Sequence, residues 1–239
     1  MRLAATADLH YTRTSKGTLD ELFRHASGEA DVLVICGDLT DYGLREEAEM
    51  LAEDLLANCA VPVVAVLGNH DFESGHQEEV KEVLTGSGVI LLDGDACEFD
   101  SVGIAGAKGF AGGFGKGLLA PWGEPMIKAF VQESVDEALK LESALRRLKT
   151  EHRVVLLHYS PVVGTVEGEP PEIFPFLGSS RLEEPLQRYP VDMVLHGHAH
   201  RGRAEATTTD GATPVYNVSA AVLSAVASDV PPVRFFDIG

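Results

Sequence analysis

Basic residues are scarce in this chain: 19 lysines and arginines stand against 37 aspartates and glutamates, a formal net charge of −18 over 239 residues. That field repels polyanions at long range, which disfavours a duplex nucleic acid partner, whose affinity for proteins comes largely from clustered Lys and Arg. A small anionic substrate is still allowed, because bound cations can reverse the sign of the field inside one pocket. Cysteine is nearly missing. Cys36, Cys59 and Cys97 are odd in number and lack C-x-x-C spacing, so cystines do not organise the fold and a reducing, cytoplasmic setting is expected. No apolar run approaches the roughly 20 residues of a membrane span, and Met1–Ala7 lacks a signal peptide's apolar core; no membrane partner is expected. Repeats, low-complexity linkers and long charge blocks are absent too. A chain of this length buries enough surface for its own core, and one domain, 1–239, is expected.

What is present alternates two periods. Short β-branched runs at 2–6, 31–35, 61–67, 153–157 and 191–195 read as strands covered on both faces. Between them, 44–59 and 133–149 carry apolar residues at helical spacing, with weaker helical patterns at 18–27 and 75–84. Further strands are expected at 89–92, 97–105, 203–208, 214–218 and 233–237. The rhythm is that of an α/β protein.

Each of the five best strands runs directly into polar residues that can bind metal. The first ends in "TADLH" (Asp8, His10), the second in "ICGDLTD" (Asp38), the third in "LGNHD" (Asn69, His70, Asp71), the fourth in "LLHYSP" (His158) and the fifth in "LHGHAH" (His196, His198, His200). Carboxyl ends of parallel strands share one sheet edge, where ligand sites form. In D-L-H and H-A-H the i, i+2 spacing puts both side chains on one side of an extended backbone. Gly37, Gly68 and Gly197 each precede a polar residue, where a glycine permits a sharp turn and close backbone approach. Six of the nine histidines lie in these segments; His25, His76 and His152 read as surface positions. One histidine at a strand end signifies little, but five coincident arrivals point to a metal site.

The ordered set D-x-H, G-D, G-N-H-D, a lone His after a strand, and G-H-x-H resembles the calcineurin-like metallophosphoesterase superfamily, across most of the chain from Asp8 to His200. "GDLTDYG" and "GNHD" depart from the protein serine/threonine phosphatase form, with Tyr42 where that branch has Arg. The set is more similar to the bacterial cyclic-nucleotide phosphodiesterase-like branch. The resemblance implies a four-layer α-β-β-α sandwich, two facing mixed β-sheets flanked by helices. It also implies two divalent or trivalent transition metal ions. One is expected on Asp8, His10, Asp38 and His200, the other on Asp38, Asn69, His158 and His198, with Asp38 bridging. A mixed imidazole and carboxylate set suits Mn, Fe or Zn. The implied reaction is hydrolysis of a small phosphodiester or phosphomonoester, a metal-bridging hydroxide attacking phosphorus in line. His70 would contact the phosphate or protonate the leaving oxygen, and Asp71 would orient His70. His196 has no ligand role in that scheme and reads as a supporting residue. Two other classes remain open: an idle binding scaffold on this fold, and a nuclease.

Two irregular segments are left over. The Gly-rich stretch 103–117 lacks the Ser or Thr of a phosphate loop after Gly115-Lys116. It reads either as a loop over the metal site, with Lys108 facing phosphate, or as a solvated surface loop. In 164–180, Phe174, Phe176 and Leu177 are expected first of all to pack.

Overall fold

The computed structural model describes residues 1–239. In chain order the elements are β1 (Arg2–Thr6), α1 (Asp20–Glu29), β2 (Val32–Cys36), α2 (Arg45–Asn58), β3 (Val63–Val66), α3 (Gln77–Gly86), β4 (Ile90–Leu91), β5 (Asp95–Phe99) and β6 (Val102–Gly106). Then follow α4 (Pro125–Arg147), β7 (His152–Leu156), α5 (Phe174–Leu177), α6 (Glu183–Arg188), β8 (Met193–His196), β9 (Glu205–Thr207), β10 (Pro214–Asn217), α7 (Ala220–Val226) and β11 (Arg234–Asp237).

Two mixed sheets face each other. The first has the order β11-β1-β2-β3-β4 and the second β5-β6-β7-β8-β10-β9. Within them β1 to β4 and β6, β7, β8, β10 pair in parallel, while β11, β5 and β9 join antiparallel. Strand alternation builds the layers. Leu3, Ala5, Val32, Val34, Val64 and Val66 point inward against Val102, Ile104, Val154, Leu156 and Leu195 of the second sheet. Their neighbours Ala4, Leu33, Ile35, Val63 and Ala65 point outward, against Phe23 of α1, Leu51 of α2 and Leu84 of α3. On the far side Ala105, Val155 and Val194 pack against Leu141 and Leu145 of α4 and Leu186 of α6. Three apolar layers make a four-layer α-β-β-α sandwich, as expected.

Two local expectations fail. The apolar run 97–105 folds as a hairpin, β5 pairing with β6 through Phe99↔Val102, because Asp100 turns at φ 50°. Helix α4 starts eight residues before the periodic segment, at Pro125. Pro at the first helical position nucleates without losing a hydrogen bond, whereas Met126, which is 78 % exposed, carries no amphipathic signal. No helix is long and apolar enough to cross a membrane.

Candidate metal centre

The five strand ends converge. After β1 and β2 the chain stays paired, Asp8 N–H donating to the Gly37 carbonyl and His10 N–H to that of Asp38, both at 3.0 Å. The side chains nevertheless swing to one side, because Asp8, His10 and Asp38 adopt left-handed φ of 58°, 46° and 49°. His198 does the same at 70°, so four of the chain's five non-glycine residues with positive φ belong to this cluster. Each such residue costs on the order of 1 kcal/mol or more, and strain of this kind collects at functional sites.

The glycines of these segments are required by contact. A Cβ at Gly37 would strike the His158 ring, one at Gly68 the Asp38 carboxylate, and one at Gly197 would stand 2.7 Å from Asp8 Oδ2. Close packing of ligand side chains against neighbouring backbone, more than turning, accounts for Gly68 and Gly197.

Asp38 lies in the middle, 1 % exposed, its Oδ1 3.4 Å from His158 Nε2 and its Oδ2 3.9 Å from His10 Nε2. Asn69 Oδ1 is 2.9 Å from His158 Nε2. Asp8 Oδ1 is 3.3 Å from His200 Nε2, and the Asp8 carboxylate accepts the His198 backbone N–H. Possible ligand atoms lie within 4.8 Å of one another in three groups: Asp8, His10, His200; His10, Asp38, His70; and Asp38, His158, His198.

Hydrogen bonds decide which ring nitrogen faces inward, since a carbonyl only accepts and therefore marks the protonated nitrogen. His158 Nδ1 donates to the Cys36 carbonyl at 3.0 Å, His198 Nε2 to that of Phe176 at 3.2 Å, and His70 Nδ1 to that of Asp41 at 2.7 Å. His10 Nδ1 faces Asp41 Oδ1 at 3.1 Å. Asp41 thus orients two histidines, one through its carboxylate and one through its carbonyl. Sequence reading missed it, although it stands in the quoted segment, three residues after Asp38.

Asp71 corrects the expectation. Its carboxylate, fully buried, accepts from the N–H groups of Leu39, Thr40 and Gly68 and from the Thr40 hydroxyl, at 2.7–3.2 Å. It clamps the loops after β2 and β3 together and does not hold the His70 ring. Burial, aided by the Asp38 charge, pushes its pKa up to about 6. His196 fits its supporting role: it is buried, with Nδ1 against the Gly197 carbonyl and Nε2 against the Thr165 hydroxyl. Burial lowers its pKa to about 4, which keeps the ring neutral.

The residues fit a metal. Asp8 and Asp38 are 6 % and 1 % exposed, and no lysine or arginine pairs with either. Two buried like charges need a positive partner. His10 Nε2 is buried without a hydrogen-bond partner. Its 3.9 Å separation from Asp38 is too long for a hydrogen bond and suits two bonds of about 2.0–2.2 Å to a shared ion.

In the metal-free protein a proton stands in for that charge. Burial alone would lower the His158 pKa, but Asp38 and Asp8 raise it to about 9. A pKa above the ordinary 6.5 contributes stability that is complete below 6.5 and lost as pH rises through 9. Chelated protein should therefore lose roughly 3 kcal/mol between those values at 1.36 kcal/mol per pKa unit. Metal-loaded protein should not. Thermal unfolding of both forms from pH 6 to 9.5 checks this; parallel curves would contradict it.

The irregular segments are less solvated than one of their two readings required. Residues 107–113 are mostly buried, with Lys108 9 % exposed. In the second segment Leu177 packs and Phe174 is half-buried, but Phe176 is 58 % exposed, its carbonyl tethering His198.

Comparison with known proteins gives the family and the fold. The family model described as calcineurin-like phosphoesterase matches residues 1–202. The chain is similar in fold to a phosphopantetheinyl hydrolase of Mycobacterium tuberculosis, with 16 % identity, TM-score 0.69, and 99 % of this chain and 98 % of that one covered. It is similar to the Thermus thermophilus protein TT1561, with 16 % identity, TM-score 0.55 and coverage of 99 % and 98 %. A Staphylococcus aureus protein described as a putative 5′-nucleotidase gives 17 % identity and TM-score 0.54, over 90 % of this chain and 48 % of that one. No curated protein matches. With its match to the family model over residues 1–202, the chain belongs to the calcineurin-like phosphoesterases and is a metal-dependent phosphoesterase.

Proposed function

We propose that the protein hydrolyses small phosphodiesters or phosphomonoesters at a dinuclear centre. Asp8, His10, Asp38 and His200 would hold one ion, and Asp38, Asn69, His158 and His198 the other. One observation carries the reading: Asp38 turns Oδ1 toward His158 and Oδ2 toward His10, so a single carboxylate serves both sides. Bound Mn, Fe or Zn supplies Lewis acidity toward phosphoryl oxygens and lowers the pKa of water. The chain's own groups do the rest. Asp41 and the carbonyls of Cys36 and Phe176 hold the ligand imidazoles in one tautomer and orientation, a role that commonly sets metal affinity. His70 donates from Nδ1 to Asp41, so Nε2 is its free nitrogen for proton exchange with the leaving oxygen.

An intact ligand set, with Asp8, Asp38 and His158 buried, argues against an idle scaffold, and the net charge of −18 against a duplex nuclease. Mn-reconstituted protein should hydrolyse bis(p-nitrophenyl) phosphate; failure with each of Mn, Fe and Zn would overturn the reading. The activities named for the structural neighbours put phosphopantetheinyl esters and nucleoside 5′-monophosphates in the substrate panel beside cyclic nucleotides. For His70→Ala we expect kcat on an alkyl phosphodiester to fall by about 10²–10⁴, the usual range for general acid catalysis. The loss should be smaller on the p-nitrophenyl ester, whose leaving group needs no proton, with metal content retained. Equal losses on both substrates would remove the proton-donor role.

A further inference from the structure

Beside the metal centre, where the edges of the two sheets meet, lies a cavity of about 220 Å³. Leu67 and Phe72 of its wall flank the segment that carries Asn69 and His70, and Lys108 joins them from the strand end after β6. The backbone carbonyl of Lys108 accepts the His158 N–H at 2.9 Å. The cavity therefore shares the Leu67–Phe72 segment with the metal centre, and its Lys108 wall is tied to His158 by that backbone hydrogen bond. Two residues of extended chain span at most about 7 Å, which sets the distance from Leu67 to Asn69.

The lysine is the unusual component. Lys108 is 9 % exposed. Its ammonium donates to the neighbouring Gly109 carbonyl at 2.8 Å and forms no ion pair. An ammonium has three donors, so two are left without a protein acceptor. The rings of Phe110, Tyr159 and Phe72 surround it, with Nζ 4.9, 5.4 and 5.5 Å from their centres. Three of the carboxylates near it are already engaged, while Glu133 lies exposed and forms no hydrogen bond or ion pair with it. Asp93 at the mouth is held by Lys140 at 2.8 Å and Lys81 at 3.3 Å, and Asp95 by Arg147 at 2.6 Å. Glu137 accepts from the Gly109 N–H and from Lys140, both at 2.8 Å. What remains is one buried ammonium with no carboxylate in direct contact, and a buried charge without a partner is costly.

Size and lining define the missing partner. A dry cavity of about 150 Å³ takes up benzene, so this one admits a ring-sized or short-chain body. Leu67, Phe72, Leu91 and Leu92 provide its apolar walls and Lys108 the anchor for a negative charge. We infer that this cavity is a second anion subsite, which takes the far end of a phosphoester substrate carrying a carboxylate or phosphate on an apolar or flat body. The inference rests on the phosphoesterase reading for the position of the scissile group.

The test separates the two. Binding of methylphosphonate and of alkane bisphosphonates of increasing chain length to Mn-loaded protein is measured by calorimetry, with bis(p-nitrophenyl) phosphate turnover assayed separately. Affinity relative to methylphosphonate should rise roughly tenfold or more at the chain length that spans both sites, by the usual gain from linked binding groups. Lys108→Met should abolish that gain. So should Thr85→Trp, which blocks the mouth from an exposed helix position and spares the core. Loss in either variant supports the subsite. A wild-type series without a length optimum, or a gain that survives both substitutions, overturns it. Absent turnover with an intact length optimum would sink the catalytic reading and leave the subsite standing.

Discussion

Asp38→Asn is expected to abolish turnover and to empty both metal positions. The substitution keeps shape but removes the charge that faces His158 on one side and His10 on the other. It also weakens acceptance of the His70 backbone N–H, which Asp38 Oδ1 now takes at 2.8 Å. An ion's stabilisation of a phosphoryl transition state is worth several kcal/mol, and each 1.36 kcal/mol is tenfold. The loss should therefore be about a thousandfold or more in kcat/KM. Elemental analysis should show metal content falling together with activity, while circular dichroism shows an intact fold. Near-normal hydrolysis of bis(p-nitrophenyl) phosphate by this variant would end the dinuclear reading.

Asp71→Asn should fail in another way. An amide oxygen can still accept from one side, but its NH₂ group then faces backbone N–H donors at Leu39 and Gly68 or at Thr40. Each buried donor left unsatisfied costs about 1–3 kcal/mol, so about 3–5 kcal/mol of stability should be lost. Because the clamp positions the Asp38 and Asn69 loops, metal affinity should fall about 10–100-fold as well, as for other supporting groups. Denaturant titration and metal competition measure the two losses. A variant within about 1 kcal/mol of the parent, below the usual cost of a buried unsatisfied group, would show that the clamp is dispensable. The pH dependence of turnover should be unchanged, since Asp71 does not touch the His70 ring.

The difference between Asp71 and Asp41 shows where sequence reading stops. Both are aspartates at strand ends, and adjacency favoured Asp71 as the partner of His70. But Asp71 sits in a short 3-10 turn at His70–Phe72 that carries its side chain into the protein. Asp41, 29 residues from His70 in sequence, arrives at that ring through the neighbouring loop. Pairings of this kind depend on loop paths, which periodicity does not encode. Lys108 is similar. The glycines around it suggested a loop over the metal or a solvated one, and only packing places its ammonium among three rings in a separate cavity. Helix α4 was legible where its face is apolar and illegible where its first turns are exposed.

The sequence by itself determined the alternation of strands and helices and the placement of seven metal-competent residues directly after five strands, which the structure divides between two sheets. These follow from local periods of two and 3.6 and from the geometry of parallel strands. Tertiary structure alone decided which nitrogen of each histidine faces inward, which aspartate orients and which one clamps, and why Gly68 and Gly197 admit no side chain. Those outcomes depend on contacts between segments far apart in the chain, such as His198 with Asp8, 190 residues away, and on left-handed backbone that only the assembled site sustains.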